Sequence, residues 1–241
     1  MINEEIVEGS LENEPIIFNI AGVLEGLRMA LPIAIGVFTY GLVLGVLAQQ
    51  VGLSVLETFL MSSLVFAGSS QLTALGLWAV PLPVLTIILT TLIVNLRHVL
   101  MSAAMRPWFA HLNFFQRYLS LFFVTDENWA LTMGQYSKGN RNRAFLLGSG
   151  LALYLAWVSS TVIGRLLGSV VQDPAKWGLD FAFTAVFITL LAGLWKGKRD
   201  ILPWVVAAVV AVAAAQLLPG KWYILIGGLA GSLVGAWRYA D

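Results

Sequence analysis

From Met29 to Gln50 the chain runs without a single charged side chain. A helix of about 20 residues, rising 1.5 Å per residue, is long enough to cross a hydrocarbon core of about 30 Å. Further apolar stretches of comparable length follow, and only 11% of the 241 residues are charged while 59% are apolar. The mean hydropathy is +0.83, and a soluble domain carries charge on about a quarter of its positions. Charges this sparse cannot coat a water-facing surface. The apolar runs are filled with leucine, alanine and glycine and lack period-two alternation, so helices fit them and a barrel does not. The sequence predicts an all-α integral membrane protein with about seven transmembrane helices. They form a single transmembrane domain over residues 21–241, behind a polar tail over 1–20 where Glu4, Glu5, Glu8, Glu12 and Glu14 replace the bases of a secretory signal.

The first span is expected at Met29–Gln50, with Pro32 near its start and a Gly41-x-x-x-Gly45 pair that lets another helix come close. Ser54 and Glu57 have capping-box spacing, opening a second span that Ala67-Gly68-Ser69-Ser70-Gln71 interrupts before apolar character resumes at Leu72–Val80. Pro81 and Pro83 then mark a turn, and a third span is read from Val84 to Met105. The mixed stretch 106–143 reads as an interfacial helix and a shorter helix starting near Thr125-Asp126-Glu127-Asn128. Later spans are expected at Ala144–Val171, Leu179–Trp195, Ile201–Leu218 and Trp222–Tyr239. Gly41-x-x-x-Gly45 is echoed by Gly164-x-x-x-Gly168, and Pro83 by Pro203, which suggests two inverted repeats of three spans each, over 28–105 and 141–218. With seven crossings, Arg106, Arg117, Lys138, Arg141, Arg143, Lys196, Lys198, Arg199 and Arg238 share one side, against Arg28, Lys176 and Lys221. The positive-inside rule then puts the N-terminus outside and the C-terminus in the cytoplasm.

A glycine-containing polar break inside a span is tolerated only where protein or a water-filled cavity surrounds it. The break at Gly68, Ser69, Ser70 and Gln71 would free amides for a carboxylate and carbonyls for an ammonium, which suits the zwitterion of an amino acid. The alternative is a tight packing contact with Gln71 bonded to a neighbouring helix, and the residues leave both open. Asn95 and His98 share a helix face, while Arg97 points elsewhere and is expected to snorkel to the headgroups. Asp126 and Glu127 stand between Leu121-Phe122-Phe123 and Trp129-Ala130-Leu131, an apolar setting in which a carboxyl could carry a proton, or they merely complement a helix dipole. Asp180, with Thr184 four residues on, reads as a cap, and Arg165 as a residue that snorkels or binds a last-turn carbonyl. Gly227, Gly231 and Gly235 form a smooth stripe on the last span, fit for close contact inside the bundle or with a partner helix.

The chain has no cysteine, which excludes disulfides and thiolate chemistry, and His98 and His111 are too few for a histidine-rich metal site. With no phosphate-binding glycine loop, no His-Glu-x-x-His and no Ser/His/Asp set, the sequence points away from an enzyme and to no cofactor, which leaves coupling to an ion gradient.

Four segments carry a resemblance: Gly26-Leu27-Arg28-Met29-Ala30-Leu31-Pro32, Leu64-Val65-Phe66-Ala67-Gly68-Ser69-Ser70-Gln71, Val94-Asn95-Leu96-Arg97-His98 and Asp126-Glu127-Asn128-Trp129-Ala130-Leu131. In this order and spacing the chain resembles the AzlC family from about Gly22 to its end, Gly178-Leu179-Asp180-Phe181-Ala182 included. It departs at Ser69-Ser70, where many members have small apolar residues, and at Asn128-Trp129, where a smaller apolar residue and phenylalanine are common. The resemblance implies the large subunit of a prokaryotic branched-chain amino acid exporter, located in the cell (inner) membrane and working with a small AzlD-like membrane subunit. It implies export of leucine, isoleucine and valine, with methionine as a further candidate, by secondary, proton-driven transport. On this reading Gly68, Ser69, Ser70, Gln71 and Asn95 bind the amino acid backbone, and Asp126 with His98 exchanges protons. A passive channel and a membrane scaffold without a solute of its own are the rival readings.

Overall fold

A computed structural model of the chain describes residues 17–109, 112–168, 188, 197–218 and 222–239. The polar tail up to residue 16, His111 and, except for Ile188, the expected span Leu179–Trp195 with Asp180 and Thr184 lie outside the described residues. The described helices are α1 (Ile20–Gln50), α2 (Val55–Leu64), α3 (Gly68–Gly76), α4 (Val84–Ala104), α5 (Arg106–Phe109) and α6 (Phe114–Phe122). They continue with α7 (Asp126–Ser137), α8 (Ala144–Gly168), α9 (Ile201–Leu217) and α10 (Trp222–Tyr239). Among the described residues, α1, α4, α8 and the Lys198–Leu217 stretch containing α9 are long and apolar enough to cross a membrane.

The most extensive contact joins α1 to α8 and is made backbone to backbone. A Cβ added at Gly26 would fall on the Phe145 carbonyl, at Gly41 on the Ser160 hydroxyl, at Gly45 on the Thr161 carbonyl, and at Gly164 on the Leu42 carbonyl. Early residues meet early residues and late meet late, so the two helices run parallel. Asn142 Nδ2 donates to Asn19 Oδ1 at 2.7 Å, and the Arg143 amide donates to the Ile17 carbonyl at 2.8 Å, so both helices start at one end of the bundle. Gly41-x-x-x-Gly45 and Gly164-x-x-x-Gly168 are therefore the two faces of one seam between parallel helices, and not equivalent places in two opposed halves.

The reason is that the second expected span does not cross. Its capping box forms, with the Ser54 amide donating to Glu57 Oε2 at 2.7 Å. The preceding Leu53 carbonyl accepts from Arg165 Nε, far along α8. From there α2 runs back along α8 until the Ser63 carbonyl accepts from the Tyr154 hydroxyl at 3.1 Å. After a turn at Val65–Ala67, Gln71 Nε2 donates to the Met61 carbonyl at 2.8 Å. Residues ten apart in a straight helix lie about 15 Å apart, so α3 folds back beside α2 and the two make a re-entrant hairpin. The break is at Val65–Ala67; Gly68–Gln71, expected inside it, form the first turn of α3.

The stretch read as interfacial is a second hairpin. Asn113 and Gln116 form a capping box that opens α6, which ends where Phe123 packs edge-on against Tyr154 at 5.2 Å. At the far end of α7, Tyr136 packs on Trp108 at 4.8 Å, and the Trp108 carbonyl accepts from Arg143 Nε. So α6 rises from the end where α1 and α8 start, and α7 returns to it. Among the described residues between α1 and α8 only α4 crosses fully, and Ile17 shares an end with Arg143. This corrects the expected topology, which set the N-terminus opposite the basic loop: a hairpin counted as a crossing reverses the side assigned to everything after it.

The expected glycine stripe on the last span packs inside the chain, with Gly227 against Ala211 and Ala207 and Gly231 against Ala207 and Pro203. Arg165 binds a carbonyl, though one in the α1–α2 turn and not in its own last turn.

Replacing Gly164 by leucine forces α8 off α1, and overpacking of this kind costs about 1–3 kcal/mol. Gly36 has nothing within 4 Å of an added Cβ. We expect Gly164→Leu to lower the thermal unfolding midpoint in detergent clearly and Gly36→Leu to leave it unchanged.

Candidate functional site

The two hairpin tips meet at Tyr154, near the middle of α8. Phe66 of the first tip packs edge-on against the Tyr154 ring at 5.3 Å and Phe123 of the second at 5.2 Å. Irregular backbone at this depth must satisfy its own polar groups. At the first tip the Val65 amide donates to the Met61 carbonyl at 3.1 Å and the Ala67 amide to the Val65 carbonyl at 2.8 Å. Gln71, 1% exposed, ties the tip from behind: Nε2 donates to the Met61 carbonyl, and Oε1 accepts from Trp157 Nε1 at 2.8 Å. Gly68 makes room for that indole, since a Cβ there would lie 2.8 Å from Trp157 Cη2. The Gln71 side chain is thus occupied at both ends in packing, as the second reading of the break anticipated.

The second tip is sealed differently. Asn128, fully buried, accepts from the Thr125 amide at 2.7 Å in a capping box and donates to the Phe123 carbonyl at 2.6 Å. The start of α7 therefore has its own cap, whereas Ala67 gives the start of α3 no side-chain cap. The first-turn amides of Gly68, Ser69 and Ser70 carry the positive end of the α3 dipole with no side chain answering it.

A line of polar side chains joins the two starts. Ser70 Oγ donates to Asn95 Oδ1 at 2.6 Å. Arg97 donates through Nη2 to Ser69 Oγ on the first hairpin, and through Nη1 meets Asp126 Oδ2 on the second at 3.1 Å. The Arg97 and Asp126 side chains are 34% and 46% exposed, and the buried Arg97 Nε has no partner among the described residues. His98 is half-buried in the field of Arg97, Asp126 and Glu127. The structure thus brings Ser69, Ser70, Asn95 and Asp126 together, with His98 alongside.

Two expectations need correcting. Arg97 does not snorkel away; it turns inward and holds the hairpins together, well inside α4. Asp126 is paired and partly exposed, not enclosed by the aromatic residues beside it in sequence. The signal for Arg97 was present: a permanent charge within a span needs a partner, and Asp126 was an acid without one.

The family model for AzlC protein matches residues 32–171, more than half of the chain. The chain belongs to the AzlC family. The AzlC match takes in both hairpins, the Arg97–Asp126 pair and the later part of the α1–α8 seam, from Gly41 and Gly45 against Ser160 and Thr161 onward. An uncharacterized membrane protein of Archaeoglobus fulgidus is 33% identical over 88% of this chain and 94% of its own length. The branched-chain amino acid transport protein AzlC of Bacillus subtilis is 26% identical over 81% of this chain and 76% of its own. The inner membrane protein YgaZ of Escherichia coli is 29% identical over 88% and 89%. No solved structure matches the chain with significance.

Gln71→Leu would leave the Trp157 indole N–H without its acceptor while the Met61 carbonyl keeps the Val65 amide, at about 1–3 kcal/mol for the buried group left unpaired. The variant should unfold at a lower temperature than wild type in the same detergent, read by the thermal midpoint.

Proposed function

We propose that the chain is the large subunit of a two-component exporter of leucine, isoleucine and valine, with methionine as a further candidate, working by proton-coupled secondary transport in a prokaryotic cell membrane. Membership of the AzlC family supports amino acid transport, and the printed name of the Bacillus subtilis relative supports a branched-chain substrate. The observation that carries the reading is the meeting, at mid-depth, of two hairpin tips whose helix starts both reach Arg97 of α4, one through the Ser69 hydroxyl and one through the Asp126 carboxylate. Irregular backbone and ionised side chains are retained at that depth where they line a solute pathway.

In this reading the Gly68–Ser70 turn and Asn95 receive the amino acid backbone, Gln71 holds the tip in place, and Asp126 with His98 carries the proton. A small AzlD-like membrane subunit completes the transporter, as the sequence resemblance implies.

We also propose an inverted repeat, in a register different from the one first read. Hairpin α2–α3 followed by α4, and hairpin α6–α7 followed by α8, are two units of the same order whose crossing helices run in opposite senses. Both hairpins open with a capping box, at Ser54 and at Asn113. The end holding Arg106, Arg117, Lys138, Arg141 and Arg143 is cytoplasmic by the positive-inside rule, so the start of α1 is cytoplasmic too. With the second expected span re-entrant, α1, α4, α8, α9 and α10 leave room for six full crossings, the sixth requiring the 179–195 segment to span.

Asp126→Asn should abolish proton-driven leucine efflux from energised vesicles while the protein still unfolds at its wild-type temperature; unchanged efflux removes Asp126 from the mechanism. Labelled-leucine counterflow distinguishes a carrier, which shows it, from a passive channel or a scaffold, which does not.

A further inference from the structure

The Arg97–Asp126 pair lies where the two hairpin tips meet α4. It joins α4 to the first turn of α7, both side chains are partly exposed, and the buried Arg97 Nε has no partner among the described residues. Its two groups have the charges of an amino acid's own ends, reversed: a guanidinium that suits a carboxylate, and a carboxylate that suits an ammonium.

We propose that the substrate zwitterion inserts into this pair, its carboxylate on Arg97 and its ammonium on Asp126. The assignment rests on the amino acid reading above and adds to it Arg97 and the orientation of the substrate. Splitting the pair without replacement would strand two charges at mid-depth, which is strongly unfavourable. The zwitterion avoids this, because each charge exchanges one opposite partner for another and the net charge of the site is unchanged. Arg97 also lies against Ser69, in the uncapped first turn of α3, so the incoming carboxylate meets the positive end of that helix as well.

Asp126 then takes either an ammonium or a proton. When a proton adds to its carboxylate the group becomes a neutral carboxyl, which no longer attracts an ammonium, while Arg97 keeps its charge. Proton and amino acid are alternatives at one oxygen pair, the arrangement that exchange across a membrane needs. Among the described residues, the charged groups near Asp126 are Arg97 and His98 from α4 and Glu127 from its own helix. Arg143 and Arg165 of α8, Glu25 of α1 and Arg117 of α6 are engaged elsewhere, with Trp108, Leu53, Asn140 and Leu112 respectively. The α3 side chains that face the pair, Ser69 and Ser70, do not titrate.

The test uses three probes on the purified full chain, read by thermal stabilisation: leucine, 4-methylpentanoate, which lacks the amine, and 3-methylbutylamine, which lacks the carboxylate. Arg97→Gln should lose at least about tenfold in affinity for leucine and 4-methylpentanoate and keep 3-methylbutylamine, which also shows that it is folded. Asp126→Asn should lose 3-methylbutylamine and keep 4-methylpentanoate. If leucine stabilises wild type and both variants equally, or both variants lose the same probes alike, the assignment is overturned while the transport reading stands. A wild-type protein that no branched-chain amino acid stabilises overturns both together.

Discussion

Everything in this bundle follows from how closely α1 and α8 approach. At Gly26, Gly41, Gly45 and Gly164 a methyl group would already collide with the opposing helix. In a bilayer, where burying apolar surface gives helices no advantage over lipid, contact of this kind is the main source of cohesion. It also sets direction, because the matched glycines bring the helices together parallel. Two parallel helices joined through a single full crossing leave the rest of the intervening chain to enter and leave by the same face. The hairpins are the consequence.

A hairpin that stops at mid-depth must account for every amide and carbonyl at its tip, and the two tips do this by different means. The first uses Gln71 and Trp157, side chains from separate helices, while the second uses Thr125 and Asn128 from its own turn. Tyr154 lies between them, donating to Ser63 and packing its ring on Phe66 and Phe123. With the apolar side of the junction so filled, Ser69, Ser70, Asn95, Arg97 and Asp126 gather on the other, and the polar site is what remains once the tips are closed.

Much of this was legible in the residues. The membrane class follows from charge density, the capping box at Ser54 from its spacing, and the interruption of the second helix from its small polar residues, misplaced only by a few positions. Direction was not legible, because hydropathy measures the length of an apolar run and carries no sign: a hairpin and a crossing contain the same residues. The paired glycine motifs were seen, but a motif occurring twice can mark a repeat or the two sides of one contact, and only the contact tells which. Arg97 was set aside because it lies off the face shared by Asn95 and His98; a long guanidinium reaches around a helix to find an acid, which helical spacing does not capture.

The unequal caps have a further consequence. Two hairpins built alike and facing opposite ways would give a molecule whose inward and outward openings are interchangeable. Here one helix start is finished by its own threonine and asparagine and bears an acid, while the other begins at an alanine and is left bare. The two tips are therefore finished unequally. The capped tip is held to α4 by an ion pair, the bare one by two serine hydroxyls, on Arg97 and Asn95, so pulling one tip from α4 separates opposite charges and pulling the other separates none.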